Sequence, residues 1–202
     1  WAREGVDVRV ETASDMTQTA AALLDGRTDI SWGGPMRVMM HHDRDRECPL
    51  VCFAQVVARD PFILVGRKPN PRFRFRDLAH KRIAVAIEAP TPWMTFQDDL
   101  ARAGVDSATL DRAPDREMAE NAKLLESGDL DVVQLFEPYA DDLVEKGAGY
   151  IWHRFAARGE IAYTSFYTTR RFAADQRDTC RSLVRGIACA QQALHRETPL
   201  AI

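Results

Sequence analysis

Glu88 and Glu137 each stand where a largely apolar stretch, 83–87 and 132–136, gives way to a loop carrying proline. Two carboxylates at strand ends can serve as a general acid and base, or they can accept hydrogen bonds from the amine of a bound molecule. Their neighbours favour the second use, because no His, Cys or Ser is placed as a partner near either one. The chain has no Gly-x-Ser-x-Gly elbow, no Gly-x-x-x-x-Gly-Lys loop and no Gly-x-Gly-x-x-Gly after a strand. The residue types point to binding, with no catalytic set and no cofactor.

Three junctions share one construction: a strand read as buried, a short loop and a helix opened by proline. They are Trp32-Gly33-Gly34-Pro35, Glu88-Ala89-Pro90-Thr91-Pro92-Trp93 and Phe136-Glu137-Pro138-Tyr139. In α/β folds ligands bind beyond the carboxyl ends of strands, and helix starts there offer free N–H groups and a positive dipole end. Gly33 and Gly34 allow close backbone approach. Trp32, Trp93, Phe136, Tyr139 and Tyr163 can supply flat apolar walls, with the expectation that some line the cleft and others are core. Met36, Met39, Met40, His41 and His42 are soft metal ligands by type. The methionines, however, fall at i, i+3 and i+4 of a helix, the spacing of a core stripe. No metal is expected.

The elements that must hold these loops follow from the rest of the chain. At 202 residues, 46% of them hydrophobic, it can bury a sizeable core as one domain or two small lobes. A net charge of −3 carries no polyanion signal, and no basic stripe or nucleic-acid motif is read. No apolar run approaches the roughly 20 residues of a membrane span. No signal peptide is read in the opening residues, which are the helix-like Trp1-Ala2-Arg3-Glu4. Cys48 and Cys52 would sit roughly 13 Å apart along a strand, and Cys180 and Cys189 about 13 Å apart along a helix, so all four are read as packing residues.

In order, strands are predicted over 6–10, 29–32, 50–57, 62–67, 82–87, 110–113, 130–135 and 161–169, with 50–57 and 62–67 as an antiparallel pair. Helices are predicted over 16–25, 35–43, from Thr91 as N-cap with Pro92 first to Gly104, over 115–126, from Pro138 to Gly147, and over 177–196. Lys68-Pro69-Asn70-Pro71 is the clearest break in composition. It divides a first lobe (1–68) from a second (69–160), and 161–202 returns to the first.

The chain also repeats itself. Leu23-Leu24-Asp25-Gly26-Arg27-Thr28-Asp29 is echoed by Leu124-Leu125-Glu126-Ser127-Gly128-Asp129-Leu130-Asp131, and Gly5-Val6-Asp7 by Gly104-Val105-Asp106. The second copy has a strand and a helix before its Gly-Val-Asp, whereas the first begins at the end of its helix. Two similar α/β lobes are expected, with an upstream strand and most of a helix absent from this chain.

The blocks Ala2-Arg3-Glu4-Gly5-Val6-Asp7-Val8, Ala22 to Ile30, Asp77 to Val85, Phe136-Glu137-Pro138-Tyr139-Ala140 and Thr168-Thr169-Arg170-Arg171-Phe172 occur in an order that resembles the solute-binding proteins of ABC importers. The branch is the one that takes up sulfonates, nitrate and the thiamine pyrimidine precursor. The resemblance implies a type 2 periplasmic-binding fold: two α/β lobes, two crossing segments and a cleft between them. Carried over by position, it implies ligand contacts from Trp32, Gly33, Gly34, Thr91, Trp93, Glu137 and Tyr163. It implies a periplasmic or cell-surface monomer that serves a membrane permease, closing on ligand by hinge motion about crossings near 68–71 and 156–163.

Glutamates and aromatics at the loops suit a neutral or cationic heteroaromatic such as an aminopyrimidine, whereas sulfonate and nitrate binders need convergent donors. Two other uses of the fold stay open from sequence. One is an enzyme of the thiamine-pyrimidine or menaquinone-pathway type, the first of which carries a cysteine-rich motif not seen here. The other is the effector domain of a transcriptional regulator.

Overall fold

The computed structural model describes residues 1–13 and 18–196. The chain forms two compact units: Trp1–Val57 with Ala162–Ile202, and Ala58–Ile161. The predicted helix over 16–25 is seen as α1 (Thr19–Leu24), its first residues lying outside the described ones.

The second unit is built on a five-stranded sheet in the order β5-β4-β6-β3-β7. Its strands are β3 (Ile63–Gly66), β4 (Arg82–Ala84), β5 (Asp111–Arg112), β6 (Val132–Leu135) and β7 (Tyr150–Arg154). β4 runs parallel to β5 and β6, while β3 is antiparallel to β6 and β7. Every residue of β3 and β6 is buried, which is why neither sequence alternates: β3 has no polar side chain and β6 has one, Gln134. The helices are α3 (Pro90–Arg102), α4 (Met118–Ser127) and α5 (Tyr139–Glu145). α3 buries Phe96 and Leu100 completely, and each such side chain removed from water contributes about 1.5–3 kcal/mol.

The first unit has a three-stranded antiparallel sheet in the order β1-β8-β2. These strands are β1 (Ser31–Gly33), β2 (Leu50–Val57) and β8 (Thr164–Thr169). The helices are α1, α2 (Pro35–Arg44), α6 (Arg170–Asp175) and α7 (Arg177–Arg196). Ala20, Leu23, Val38, Cys48, Leu50 and Tyr167 form its core. Trp1 docks on α7: its indole Nε1 donates to the Leu183 carbonyl at 3.2 Å, and its ring lies where a side chain on Gly186 would have to go.

The repeat is visible in the backbone. Gly26 and Gly128 both end a helix with positive φ, 70° and 92°, and in both copies a following N–H returns to a carbonyl of the last turn. All four cysteines are free thiols, but only Cys48 and Cys180 are buried; Cys52 and Cys189 are exposed, so the reading of all four as packing residues holds for two of them.

Several sequence expectations are corrected. The 6–10 segment alternates like a strand but forms none, and Val10 is 78% exposed. No described strand pairs with it, and an isolated strand has no ladder to satisfy its backbone. The 50–57 and 62–67 runs do not pair: β2 pairs with β8, and β3 lies between β6 and β7. Residues 58–68 therefore belong with the second unit, and the chain leaves the first unit at Val57, ahead of the composition break at 68–71. α3 starts at Pro90 with Ala89 as its N-cap, two residues before the expected Thr91. Finally, the methionine stripe of α2 is not core. Val38 is the buried residue of that helix, and Met39 and Met40 are exposed.

Candidate functional site

The predicted contacts fall into two groups, one in each unit. In the first unit, β1 ends in Trp32 and Gly33, and Gly34 caps α2 in an extended conformation ahead of Pro35. Trp32 is 57% exposed and meets Phe166 edge-on, with centroids 6.3 Å apart, so much of its ring is open. Gly33 lies against Tyr167, whose ring would be 3.4 Å from an added Cβ. Tyr163 is buried, and its backbone N–H donates to the Val57 carbonyl, so it packs where the chain re-enters this unit rather than offering an open wall.

The same junction carries a polar cluster that sequence reading did not find. Arg37 Nη1 donates to Thr19 Oγ1 at 2.8 Å, and Thr19 Oγ1 lies 2.9 Å from the Tyr167 hydroxyl. Arg37 is half-buried in the first turn of α2, where the helix dipole is least favourable to a cation. A guanidinium held there has a use if an anion shares the helix start. That position, two residues after Pro35, was the available sequence signal; the partners 18 residues before it and 148 beyond Thr19 were not.

In the second unit the site is built on the start of α3. Gln134 of β6, fully buried, bridges strand and helix: its Oε1 accepts from Ala86 N at 3.3 Å and its Nε2 donates to the Pro92 carbonyl at 3.1 Å. Thr91, in the first turn, is 3% exposed, and its Oγ1 has no hydrogen-bond partner among the described residues. Trp93 is half-buried, packed edge-on to Phe96 at 5.6 Å, with the Arg112 guanidinium 5.0 Å over its ring. One face of this indole is thus already covered.

The two glutamates are engaged as helix caps. Glu88 Oε1 accepts from Met118 N at 2.8 Å, at the start of α4. Glu137 Oε2 accepts from Asp141 N at 2.9 Å, in the first turn of α5. Among the described residues no group of three or more His, Cys, Asp or Glu is placed to hold a metal.

A two-unit α/β chain with loop sites at strand ends is the architecture of type 2 periplasmic solute-binding proteins, and solved structures share this fold. The alkanesulfonate-binding protein SsuA of Xanthomonas axonopodis pv. citri, bound to MOPS, matches with a TM-score of 0.70 at 17% identity, over 90% of this chain and 62% of that one. The aliphatic sulphonate-binding SsuA of Escherichia coli gives 0.75 at 13% identity, over 90% and 61%. PhnD1 of Prochlorococcus marinus (MIT 9301), in complex with methylphosphonate, gives 0.65 at 13% identity, over 91% and 73%. The chain belongs to the family described as ABC transporter, phosphonate, periplasmic substrate-binding protein, whose model matches residues 2–197. Members of that family are binding components of importers and not enzymes. The protein YtlA of Bacillus subtilis (strain 168) is 29% identical over 191 residues, which are 94% of this chain and 57% of YtlA. The chain thus spans little more than half the length of that relative.

Proposed function

We propose that the chain captures an organic phosphonate or sulfonate outside the cytoplasm, as a monomer, and delivers it to an ABC permease. The family match over residues 2–197 carries this reading. Arg37, positioned by Thr19 and Tyr167 at the start of α2, supports the choice of ligand, because its guanidinium has N–H groups beyond the one bonded to Thr19 and suits an oxyanion. Thr91, with its unpartnered hydroxyl at the start of α3, supplies a further donor. Ligand capture follows hinge closure of the two units about the chain crossings, and the closed form is what the permease engages.

An aminopyrimidine is the second reading, favoured by the open ring of Trp32. It stands behind the first because Glu88 and Glu137, the acceptors it would need, cap α4 and α5. Titration calorimetry on the full-length protein with methylphosphonate, ethanesulfonate and an aminopyrimidine separates the two. Binding of either oxyanion supports the first reading; binding of the pyrimidine alone replaces it with the second. A thermal-shift screen is a parallel check, since ligand at a hundred times Kd adds about 2.7 kcal/mol to stability.

A further inference from the structure

Residues 67–82 correct the expectation that the chain has no basic stripe. They hold seven Lys or Arg and one acidic residue, Asp77, a net charge of +6 within a chain of net charge −3. The remaining residues therefore carry 20 basic and 29 acidic side chains, a net charge of −9. Charge is strongly segregated onto one short stretch of the second unit.

The fold turns that stretch into a one-sided surface. Phe73 and Phe75 face the unit's aromatic core, with Phe73 5.4 Å from Trp152 and Phe75 6.1 Å from Phe96, centroid to centroid. The alternating Arg72, Arg74 and Arg76 are all exposed, as is Lys68. Asp77, the sole acid, is committed to the loop: its Oδ2 accepts from Asn70 Nδ2 at 3.0 Å and from Arg74 N at 2.9 Å. At the flanks, Arg67 and Arg82 have long, exposed pairings with Asp131 and Asp111, at 3.8 and 3.7 Å. The centre of the stripe, Lys68 with Arg72, Arg74 and Arg76, has no ion pair within 4.0 Å among the described residues.

We propose that this stripe is a docking surface for the headgroups of an anionic phospholipid bilayer, orienting the second unit towards the membrane. Arginine suits phosphate because its planar guanidinium donates in pairs. None of the large exposed hydrophobic residues lies within 67–82. A stripe with no large exposed apolar side chain lacks the desolvated apolar centre of a protein interface, whereas a lipid surface presents diffuse charge and needs no such centre. The net negative charge elsewhere repels the same surface, so binding is confined to one orientation.

The test is co-sedimentation of the full-length protein with phosphatidylglycerol vesicles and with phosphatidylcholine vesicles, at about 0.1 M and 0.5 M salt, where the screening length falls from about 10 Å to roughly 4 Å. Binding to phosphatidylglycerol alone, lost at high salt, is expected. The Arg72→Ala/Arg74→Ala/Arg76→Ala protein should lose on the order of 100-fold in partitioning, at about 5-fold per residue, with its thermal midpoint and phosphonate binding unchanged. The corresponding triple Lys variant should retain most of it. Inorganic phosphate at about 10 mM should not compete beyond its ionic strength, which separates a bilayer from a free-phosphate site. Equal binding to both lipids, no binding to phosphatidylglycerol, full retention by the triple Ala protein, or equal loss in the Lys and Ala proteins would overturn the proposal. The vesicle readouts do not depend on which ligand the protein carries.

Discussion

Arg158 and Asp99 form a buried ion pair at 3.0 Å, their side chains 13% and 10% exposed. Arg158 lies in the turn Phe155–Arg158 that follows β7, just before the chain leaves the second unit, and Asp99 lies on α3. The same guanidinium reaches Asp98 at 2.6 Å, so one helix holds the exit segment through two carboxylates. Burial pushes the Asp99 carboxyl above the usual carboxylate range, and the Arg158 charge works against that rise. Arg158→Met strands a buried carboxylate and should cost about 3 kcal/mol in urea unfolding. Adding Asp99→Asn removes the stranded charge and should recover part of that loss. Equal stability of Arg158→Met and the parent protein would show that the pair does not hold the exit segment.

The entry segment is tied to the same helix. Asp60 is fully buried, accepts from Phe62 N at 2.9 Å, and accepts from the Thr95 hydroxyl at 2.9 Å. Burial raises its pKa, and both hydrogen bonds oppose the rise. Because the folded-state value lies above the unfolded one, this group favours folding most below the ordinary Asp value of about 3.9, and that contribution is lost as pH rises through the raised value. Thr95→Val removes one of the bonds that stabilise the ionised form. Its cost should be small in acid, where Asp60 is protonated, and grow to about 1–3 kcal/mol at neutral pH. Unfolding curves at several pH values check this; a cost independent of pH would mean that Asp60 does not change protonation over the range.

Gly66 and Trp152 give a steric prediction. The indole Nε1 donates to the Lys68 carbonyl at 2.7 Å, and the ring passes 2.0 Å from where a Cβ on Gly66 would stand. Gly66→Ala must displace the ring or the strand, and overpacking of this kind costs about 1–3 kcal/mol. Loss of stability with altered tryptophan emission is expected. An unchanged emission spectrum would mean that the ring is not seated on β3.

Which of these features the sequence shows depends on the range of the interaction. β6 is legible because a strand buried on both faces is apolar at nearly every position, Gln134 being the exception, and the helix ends at Gly26 and Gly128 are legible because a left-handed residue selects glycine. Strand partners are not. β3 is next in sequence to neither of its sheet neighbours, β6 and β7, and its register against Val132–Leu135 rests on contacts more than sixty residues away. The 6–10 segment shows the converse: its alternation is correct for a strand, but alternation does not supply a neighbour. Glu88 and Glu137 read as ligand acceptors because the helix N–H groups they cap cannot be assigned to them from spacing alone. Thr91, Gly33 and Gly34 were placed at strand-end junctions by local grammar, and they lie there; the Arg37–Thr19–Tyr167 cluster joins three distant positions and left only its arginine visible.

Thr91 provides the prediction in which stability and binding move in opposite directions. Its hydroxyl oxygen is buried and unpartnered among the described residues, a state that costs folding about 1–3 kcal/mol. Valine matches threonine in shape without the hydroxyl, so Thr91→Val should raise the unfolding free energy of the ligand-free protein by about 1 kcal/mol. If the hydroxyl donates to the oxyanion of the ligand, the same change should weaken binding on the order of 10-fold, because one hydrogen bond to a charged group is lost. Urea unfolding without ligand and calorimetry with methylphosphonate measure the two effects separately. A gain in stability with unchanged affinity would remove Thr91 from the site and leave its orphaned hydroxyl a packing feature of α3. A loss in both would mean that the hydroxyl has a partner within the protein.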